Sequence, residues 1–489
     1  MKMKNKSGVE NFNFGISSKM PTLVDYLCKL IKNYLFTMTA KVQKFINDSG
    51  LARWSALVLI ALMMFFAYMF VDVLSPLSTL LETSKGWSAE TYGTFCSSEY
   101  FLNVFAFFLI FAGIILDKMG IRFTGILSAA VMVIGASIKL YAISDLFSPE
   151  SGLYRFLDSF WVTFPPTAKL ASVGFMIFGC GVEMGGVTVS KAIAKWFKGK
   201  EMALAMGLEM AIARLGVFAV FRISPALSTW ANEAMPTVVT PVLFCTILLI
   251  IGLLTYTIFT FMDKKLDKQL GEVAADEPEE QFKVSDVGKL FTSKTFLIVA
   301  GLCVLYYSAI FPFQKFATGM LETNLNMPTE KAAGLFSWFP IGAMLLTPFL
   351  GAFLDKKGKG ATMLIAGAIL MIVCHLTFAL IPLNQPIAYA AIILLGVSFS
   401  LVPAALWPSV PKLVEERYLG SAYSVIFWIQ NIGLMLFPII IGKALDVTGG
   451  YRVPMLIFSS LGILALVLGL WLKVEDRKKG YGLEEPNIK

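Results

Sequence analysis

Twelve long apolar runs punctuate this chain. They fall at roughly 54–81, 92–115, 123–144, 166–194, 201–228 and 236–262, then at 293–321, 331–354, 361–382, 386–413, 420–444 and 452–473. Each is long enough to carry a helix across a bilayer core, which takes about 20 apolar residues. Between the sixth and seventh runs the sequence changes to D-K-K-L-D-K-Q-L-G-E-V-A-A-D-E-P-E-E, too polar to cross. The expected architecture is an all-α membrane protein of twelve transmembrane helices in two pseudo-symmetric six-helix bundles. Only 15% of the 489 residues are charged, against about a quarter in a soluble chain. The expected division is a segment at 1–50, a first bundle at 51–262, a linker at 263–290, a second bundle at 291–474 and a tail at 475–489.

Two internal correspondences support a duplication. G-I-I-L-D-K-M-G-I-R at Gly113 to Arg122 recurs as G-A-F-L-D-K-K-G-K-G at Gly351 to Gly360, an offset of 351 − 113 = 238 residues. Both fit G-x-x-x-D-[KR]-x-G, and both sit where an apolar run gives way to basic residues. One such turn would be weak, because Gly-Asp turns are common; two at equivalent places are strong. The residues concerned are Gly113, Asp117, Lys118, Gly120 and Arg122, then Gly351, Asp355, Lys356 and Gly358, and they are expected to act as charged latches between helix ends. A second correspondence aligns Gly216 in M-A-I-A-R-L-G with Gly433 in I-F-W-I-Q-N-I-G.

The net charge of +8 does not point to nucleic acid, because the basic residues fall in short loops. Lys118, Arg122, Lys195, Lys198, Lys200, Lys356, Lys357, Lys359, Lys412 and Arg417 all lie in connections from even to odd helices, whereas the opposite loops carry few. The positive-inside rule then places both termini in the cytoplasm. Residues 22–46 repeat apolar positions at helical spacing with Lys29, Lys32, Lys41 and Lys44 among the polar ones. That pattern suits an amphipathic helix on the membrane surface or one packed on a neighbouring loop. The start lacks the features of a cleaved signal peptide. Cys28, Cys96, Cys180, Cys245, Cys303 and Cys374 show no paired spacing and read as buried thiols. With no phosphate-loop motif, catalytic triad or metal cluster, no enzyme activity and no cofactor are expected.

The chemistry is expected in a few ionisable residues inside apolar runs, which are costly against lipid and so face a cavity or a partner. Glu183 lies in the fourth run and Arg214 in the fifth, 15 residues before and 16 after Lys198 in the turn between them. At about 1.5 Å per residue both stand about 23 Å from that turn and level with each other. They could hold the opposite ends of a zwitterion, the acid accepting from an ammonium and the guanidinium gripping a carboxylate. Alternatively they pair and lock the two helices. Arg222, eight residues beyond Arg214, is expected to cap the helix end at the membrane interface. Asp72 is a candidate proton site or ammonium partner, or a solvated end residue. Glu209 and Lys191 belong nearer the basic end, in gates or salt bridges. Asn431 replaces Arg214 in the internal alignment, with Gln430 beside it, and both suit hydrogen bonding to a peptide-like group. Tyr306, Tyr307 and Trp407 could pack on a substrate side chain, and His375 is expected to pack.

Several segments resemble one branch of the major facilitator superfamily, typified by the lysosomal dipeptide transporter of animals. They are W-F-K-G-K-E at Trp196, G-L-E-M-A-I-A-R-L-G, Y-Y-S-A-I-F-P-F at Tyr306, A-L-W-P at Ala405 and L-G-S-A-Y at Leu419. The resemblance implies transport of dipeptides by alternating access, with its helix 4 acid falling on Glu183 and its helix 5 arginine on Arg214. In that family the acid holds the peptide amino terminus and the arginine the carboxylate. Expected partners are thus a dipeptide or similar zwitterion and the lipid bilayer, with the protein acting as a monomer. The absence of an acidic di-leucine signal points to a bacterial inner-membrane relative. The alternative is a carrier of another organic solute, such as an organic anion, in which Arg214 and Arg222 act together and Glu183 is structural.

Overall fold

The computed structural model describes residues 45–270, 284–415 and 419–486. The expected amphipathic helix at 22–46 lies almost wholly outside the described residues, as does the middle of the linker.

Twelve crossings follow in chain order. The first half contains α1 (Gly50–Asp72), α2 (Ala89–Ser98, Phe101–Phe105 and residues 108–119), α3 (residues 121–143), α4 (Pro166–Phe197), α5 (Met202–Thr229) and α6 (Val239–Leu270). The second contains α7 (Lys294–Leu325), α8 (Thr329–Phe336 and Trp338–Lys357), α9 (Gly360–Leu380), α10 (Gln385–Leu413), α11 (Leu419–Thr448) and α12 (Arg452–Lys479). Eleven helical stretches among the described residues are long and apolar enough to cross a membrane; the part of α2 before residue 108 lies in shorter pieces.

The break in α2 has a physical cause. At Gly179 of α4 an added Cβ would lie 2.1 Å from the Glu99 carbonyl oxygen, so the two backbones touch at the first break. At the second, Phe107 adopts a left-handed φ of 51°, a strained choice for a bulky residue. Its ring stacks on Trp428 of α11 at 5.3 Å, which offsets part of that strain. The turn from α2 to α3 is made by Gly120, at φ 74° and ψ 170°. That backbone region is essentially open only to glycine.

The duplication is visible in packing. Helix α1 lies against α5 and α6, α3 against α4 and α6, and α2 against α4; in the second half α7 lies against α11 and α12, α9 against α10 and α12, and α8 against α10. Gly216 and Gly433 play matching parts. A Cβ at Gly216 would sit 2.4 Å from the Phe65 carbonyl of α1, and one at Gly433 2.1 Å from Ser308 Oγ of α7.

One expectation needs correction: residues 263–270 are not linker but the last turns of α6. Their two carboxylates are neutralised in place. Asp263, fully buried, accepts from Lys195 Nζ at 2.8 Å and Trp196 Nε1 at 2.9 Å, and Asp267 pairs with Arg122 at 2.8 Å. Trp196 and its neighbours in W-F-K-G-K-E also clasp the start of α1. Asn47 donates to the Trp196 carbonyl, Lys200 reaches Asp48 at 2.9 Å, and Arg53 reaches Glu201 at 2.9 Å. His375 packs as expected, 5.2 Å from both Phe313 and Phe458.

The halves meet most closely at the end opposite the repeated loops. There Asp446 of α11 caps the start of α2, its two oxygens accepting from the Ala89 and Glu90 amides at 2.9 and 2.8 Å. Gly93 approaches the Pro438 carbonyl and Gly442 the Ala89 carbonyl, each so closely that a Cβ would overlap. Thr79 bonds Glu322, and Arg222 Nε donates to Ser337 Oγ at 2.9 Å. At the loop-motif end, by contrast, α4 and α10 share no extensive packing among the described residues.

Candidate functional site

Glu183 sits half-buried on α4 in a run of glycines. A Cβ at Gly181 would lie 2.6 Å from Met132 and one at Gly185 2.8 Å from Ser128 Oγ, so these glycines bring α4 onto α3. Gly186 instead faces open space. The Glu183 carboxyl turns towards the second half, where the Asn431 side chain stands near it.

Arg214 is half-buried on α5. Its guanidinium lies among three rings drawn from both halves: Tyr68 of α1 at 5.8 Å, Phe311 of α7 at 5.4 Å and Phe399 of α10 at 5.4 Å. Among the described residues no carboxylate lies within salt-bridge distance of it, and Glu183 and Arg214 do not pair with each other. Aromatic faces attract a cation but accept none of its hydrogen bonds. The N–H donors of Arg214 therefore stay available for an oxyanion. Tyr68 is within electrostatic reach of both Arg214 and Glu183.

A family model described as Major Facilitator Superfamily matches residues 60–438 and again 316–486. The chain belongs to the Major Facilitator Superfamily. It is thus a multi-pass integral membrane transporter and not an enzyme. Curated relatives carry the name lysosomal dipeptide transporter MFSD1. The Danio rerio protein is 30% identical over 391 residues, 78% of each chain. The Bos taurus protein is 28% identical over 371 residues, 73% of each chain. Among solved structures the nucleoside transporter NupG matches with a TM-score of 0.62 at 14% identity, covering 86% of this chain and 99% of that one. The inward open conformation of the xylose transporter XylE from E. coli gives 0.63 at 14% identity, covering 86% and 95%. At these identities the structures speak for the superfamily fold alone.

The other expected site residues divide. Tyr307 is buried and joins the wall around Arg214, 5.6 Å from Phe311 and 6.0 Å from Phe399, and Trp407 Nε1 donates to its hydroxyl at 3.2 Å. Tyr306 turns the other way: its hydroxyl donates to the Leu364 carbonyl inside the second half. Gln430 is buried behind Asn431, where it accepts from Cys303. Arg222 does not cap a helix at the lipid interface but bridges the halves through Ser337, because α8 starts directly opposite it. Asp72 is not solvated at the end of α1. It is 2% exposed and pairs with Lys315 of α7 at 2.9 Å, while Gln314 donates to it at 2.6 Å and Ser75 at 2.9 Å.

The repeated superfamily loops hold helix ends together. Asp117 pairs with Lys191 of α4 at 2.9 Å, and Arg122 reaches α6 through Asp267. Lys118 and Lys356 are exposed, Asp355 is half-buried, and Gly113 and Gly351 face open space. Gly358, at φ 72°, lies under the tail: Glu484 accepts from the Lys359 amide and Leu483 from the Gly360 amide.

Several residues were not anticipated. Lys139 is fully buried on α3, its ammonium 4.4, 4.6 and 5.1 Å from the rings of Phe70, Phe175 and Phe95, without a hydrogen-bond partner among the described residues. Glu99 is buried with one oxygen unpartnered among them. Lys139 and Lys315 carry the same sequence signal that singled out Glu183, a charge inside an apolar run. Tyr68, Phe311 and Phe399 carry no such signal, since aromatics at helical spacing ordinarily pack.

Proposed function

We propose that the protein is a secondary transporter of dipeptides, with Glu183 receiving the ammonium and Arg214 the carboxylate of the substrate. The observation that carries this reading is that the two charges are not paired with each other. They stand on neighbouring helices of one half and face the other half, yet do not neutralise each other. A structural ion pair would be closed, whereas a clamp for a zwitterion must be open when empty. Asn431 stands near the Glu183 carboxyl, and Tyr68, Phe311 and Phe399 surround the guanidinium while leaving its donors to a carboxylate. The names of the curated relatives point to the same substrate class.

Transport follows by alternating access around this site. The sealed end, held by Asp72–Lys315, Asp446 and Arg222–Ser337, must open when the loop-motif end closes. By the positive-inside rule the loop-motif end faces the cytoplasm, so the present arrangement faces inward. The organic-anion alternative needs Arg222 to act with Arg214, and Arg222 instead donates through Nε to Ser337 in the seal.

Thermal stabilisation of the purified protein tests the proposal, because a ligand bound to the native state raises Tm. Dipeptides are expected to stabilise it. Dipeptides acetylated at the amine or amidated at the carboxyl, and monoanions, are expected to fail. Stabilisation by monoanions that survives Glu183→Gln would overturn the proposal.

A further inference from the structure

Between α3 and α4, at the end opposite the repeated loops, the chain runs through residues 145–165. Six of these 21 residues are aromatic, where connectors in water ordinarily gather Gly, Pro, Asn, Asp and Ser. We propose that this segment lies flat in the headgroup region of the leaflet at that end, with its aromatic face against the acyl chains. The partner is the lipid surface itself, whichever solute the protein carries.

The segment is folded on itself and on the two helices it joins. It contains a short helix, Gly152–Asp158. The Phe147 ring lies 5.6 Å from Tyr141 of α3 and 5.1 Å from Tyr154, and Trp161 stacks on Phe164 at 4.6 Å. What this folding leaves outside is apolar. Leu146, Leu153, Phe156, Phe160, Trp161 and Val162 are each between 44% and 80% exposed. A group of large apolar side chains left uncovered in this way marks an interaction surface.

Continuity says what covers it. Ile134 and Tyr141, seven residues apart and so on one face of α3, are exposed, as is Val173 on α4. Apolar side chains on the outside of a spanning helix face lipid, and the ring contacts lead from Tyr141 through Phe147 to Tyr154 without a gap. Tyr and Trp collect at the membrane–water interface, and a helix lying there buries its apolar face by about 5–10 Å.

The polar groups agree. Arg155 donates to the Pro149 and Glu150 carbonyls at 3.1 and 3.2 Å, and the buried Lys169 of α4 donates to the Leu157 and Phe160 carbonyls. In water, solvent would satisfy such carbonyls; beside acyl chains the protein must do so itself. With both cations turned onto the backbone, the charges left on the segment are those of Asp145, Glu150 and Asp158, all exposed. Apolar burial, and not attraction to anionic lipid, therefore holds the segment in place.

The test is the accessibility of nitroxide labels on the full-length protein in phosphatidylcholine vesicles, with single substitutions Phe156→Cys, Trp161→Cys, Val162→Cys, Glu150→Cys and Asp158→Cys. The unsubstituted protein supplies the background, and the cysteines among the described residues are buried. Labels at 156, 161 and 162 are expected to be relaxed more by oxygen than by a water-soluble nickel chelate, and labels at 150 and 158 the reverse. Replacing part of the lipid by phosphatidylglycerol should leave this pattern unchanged. A variant that fails to fold removes one position and leaves the contrast among the others. Nickel accessibility at 156, 161 and 162 equal to that at 150 and 158 would put the segment in water and overturn the proposal. Protection of the three apolar positions from both reagents would overturn it in favour of a protein cover, a second copy or another chain. A pattern that appears only with phosphatidylglycerol would overturn the apolar basis of the contact.

Discussion

Asn431 on α11 faces Glu183 on α4 across the boundary between the halves. It also occupies the position that mirrors Arg214, since Gly433 and Gly216, each two residues further on, bring their helices onto α7 and α1 in the same way. On the dipeptide reading, one duplicated position would supply the carboxylate grip in one half and a neighbour of the ammonium grip in the other. Asn431→Ala is expected to weaken dipeptide binding by about 0.5–1.5 kcal/mol, the net worth of one hydrogen bond. A binding titration checks this, and Asn431→Gln is expected to recover part of the loss.

The Asp72–Lys315 pair joins α1 to α7 at the sealed end, both side chains being almost fully buried. Removing one partner strands the other charge, at a cost of about 3–5 kcal/mol. Asp72→Asn should therefore lower the thermal stability and shift the population towards a state open at that end. Spin labels on α2 and α11, placed outside the contact itself, would report longer distances. Replacing both partners by apolar residues should restore much of the stability, because a packed apolar pair often equals a buried ion pair.

Much of this was legible in the sequence, for a specific reason. Apolar runs, a repeated Gly-Asp loop and charges within apolar runs are local signals; they located the helices and the duplication, and they singled out Glu183, Arg214 and Asp72 as candidates. The seal was not legible, because Lys315 and Gln314 meet Asp72 only through tertiary packing. Nor was the break in α2, which follows from the approach of Gly179 to Glu99 and from the stacking of Phe107 on Trp428. The orientation of Tyr306 away from Tyr307 is likewise a packing outcome: adjacent helix positions point about 100° apart, and sequence alone does not say which one faces the cavity.

The two glycine turns should respond differently to alanine. Gly120 and Gly358 both have positive φ, but a Cβ at Gly120 meets nothing within 4 Å, whereas one at Gly358 would lie 2.4 Å from the Glu484 carbonyl oxygen. Gly120→Ala should cost about 1–3 kcal/mol of backbone strain. Gly358→Ala should cost more and displace the tail, exposing Leu483. Thermal unfolding and protease sensitivity after residue 480 distinguish the two.

The clasp at the start of α1 should be sensitive to acid. The hydrogen bond from Lys200 holds Asp48 below its ordinary carboxylate value, and a hydrogen bond from its own backbone amide, with Arg53 beside it, does so for Glu201. Folded-state values lower than the unfolded ones mean that the clasp contributes fully above about pH 4.5 and weakens as pH falls through the lower values. Hydrogen-exchange protection factors at residues 45–53, which remove the pH dependence of intrinsic exchange, should fall below that range and stay constant between about pH 5 and 8.

Uptake of a labelled dipeptide into proteoliposomes tests the central claim most directly, comparing wild type with Glu183→Gln and Arg214→Ala at matched reconstitution. The clamp predicts saturable uptake by wild type that is competed by unmodified dipeptides but not by end-blocked ones. Each variant should lose about tenfold or more in apparent affinity, corresponding to a charged hydrogen bond of about 1.5–3 kcal/mol. Uptake by both variants at wild-type affinity, or competition by end-blocked peptides as strong as by free ones, would contradict it.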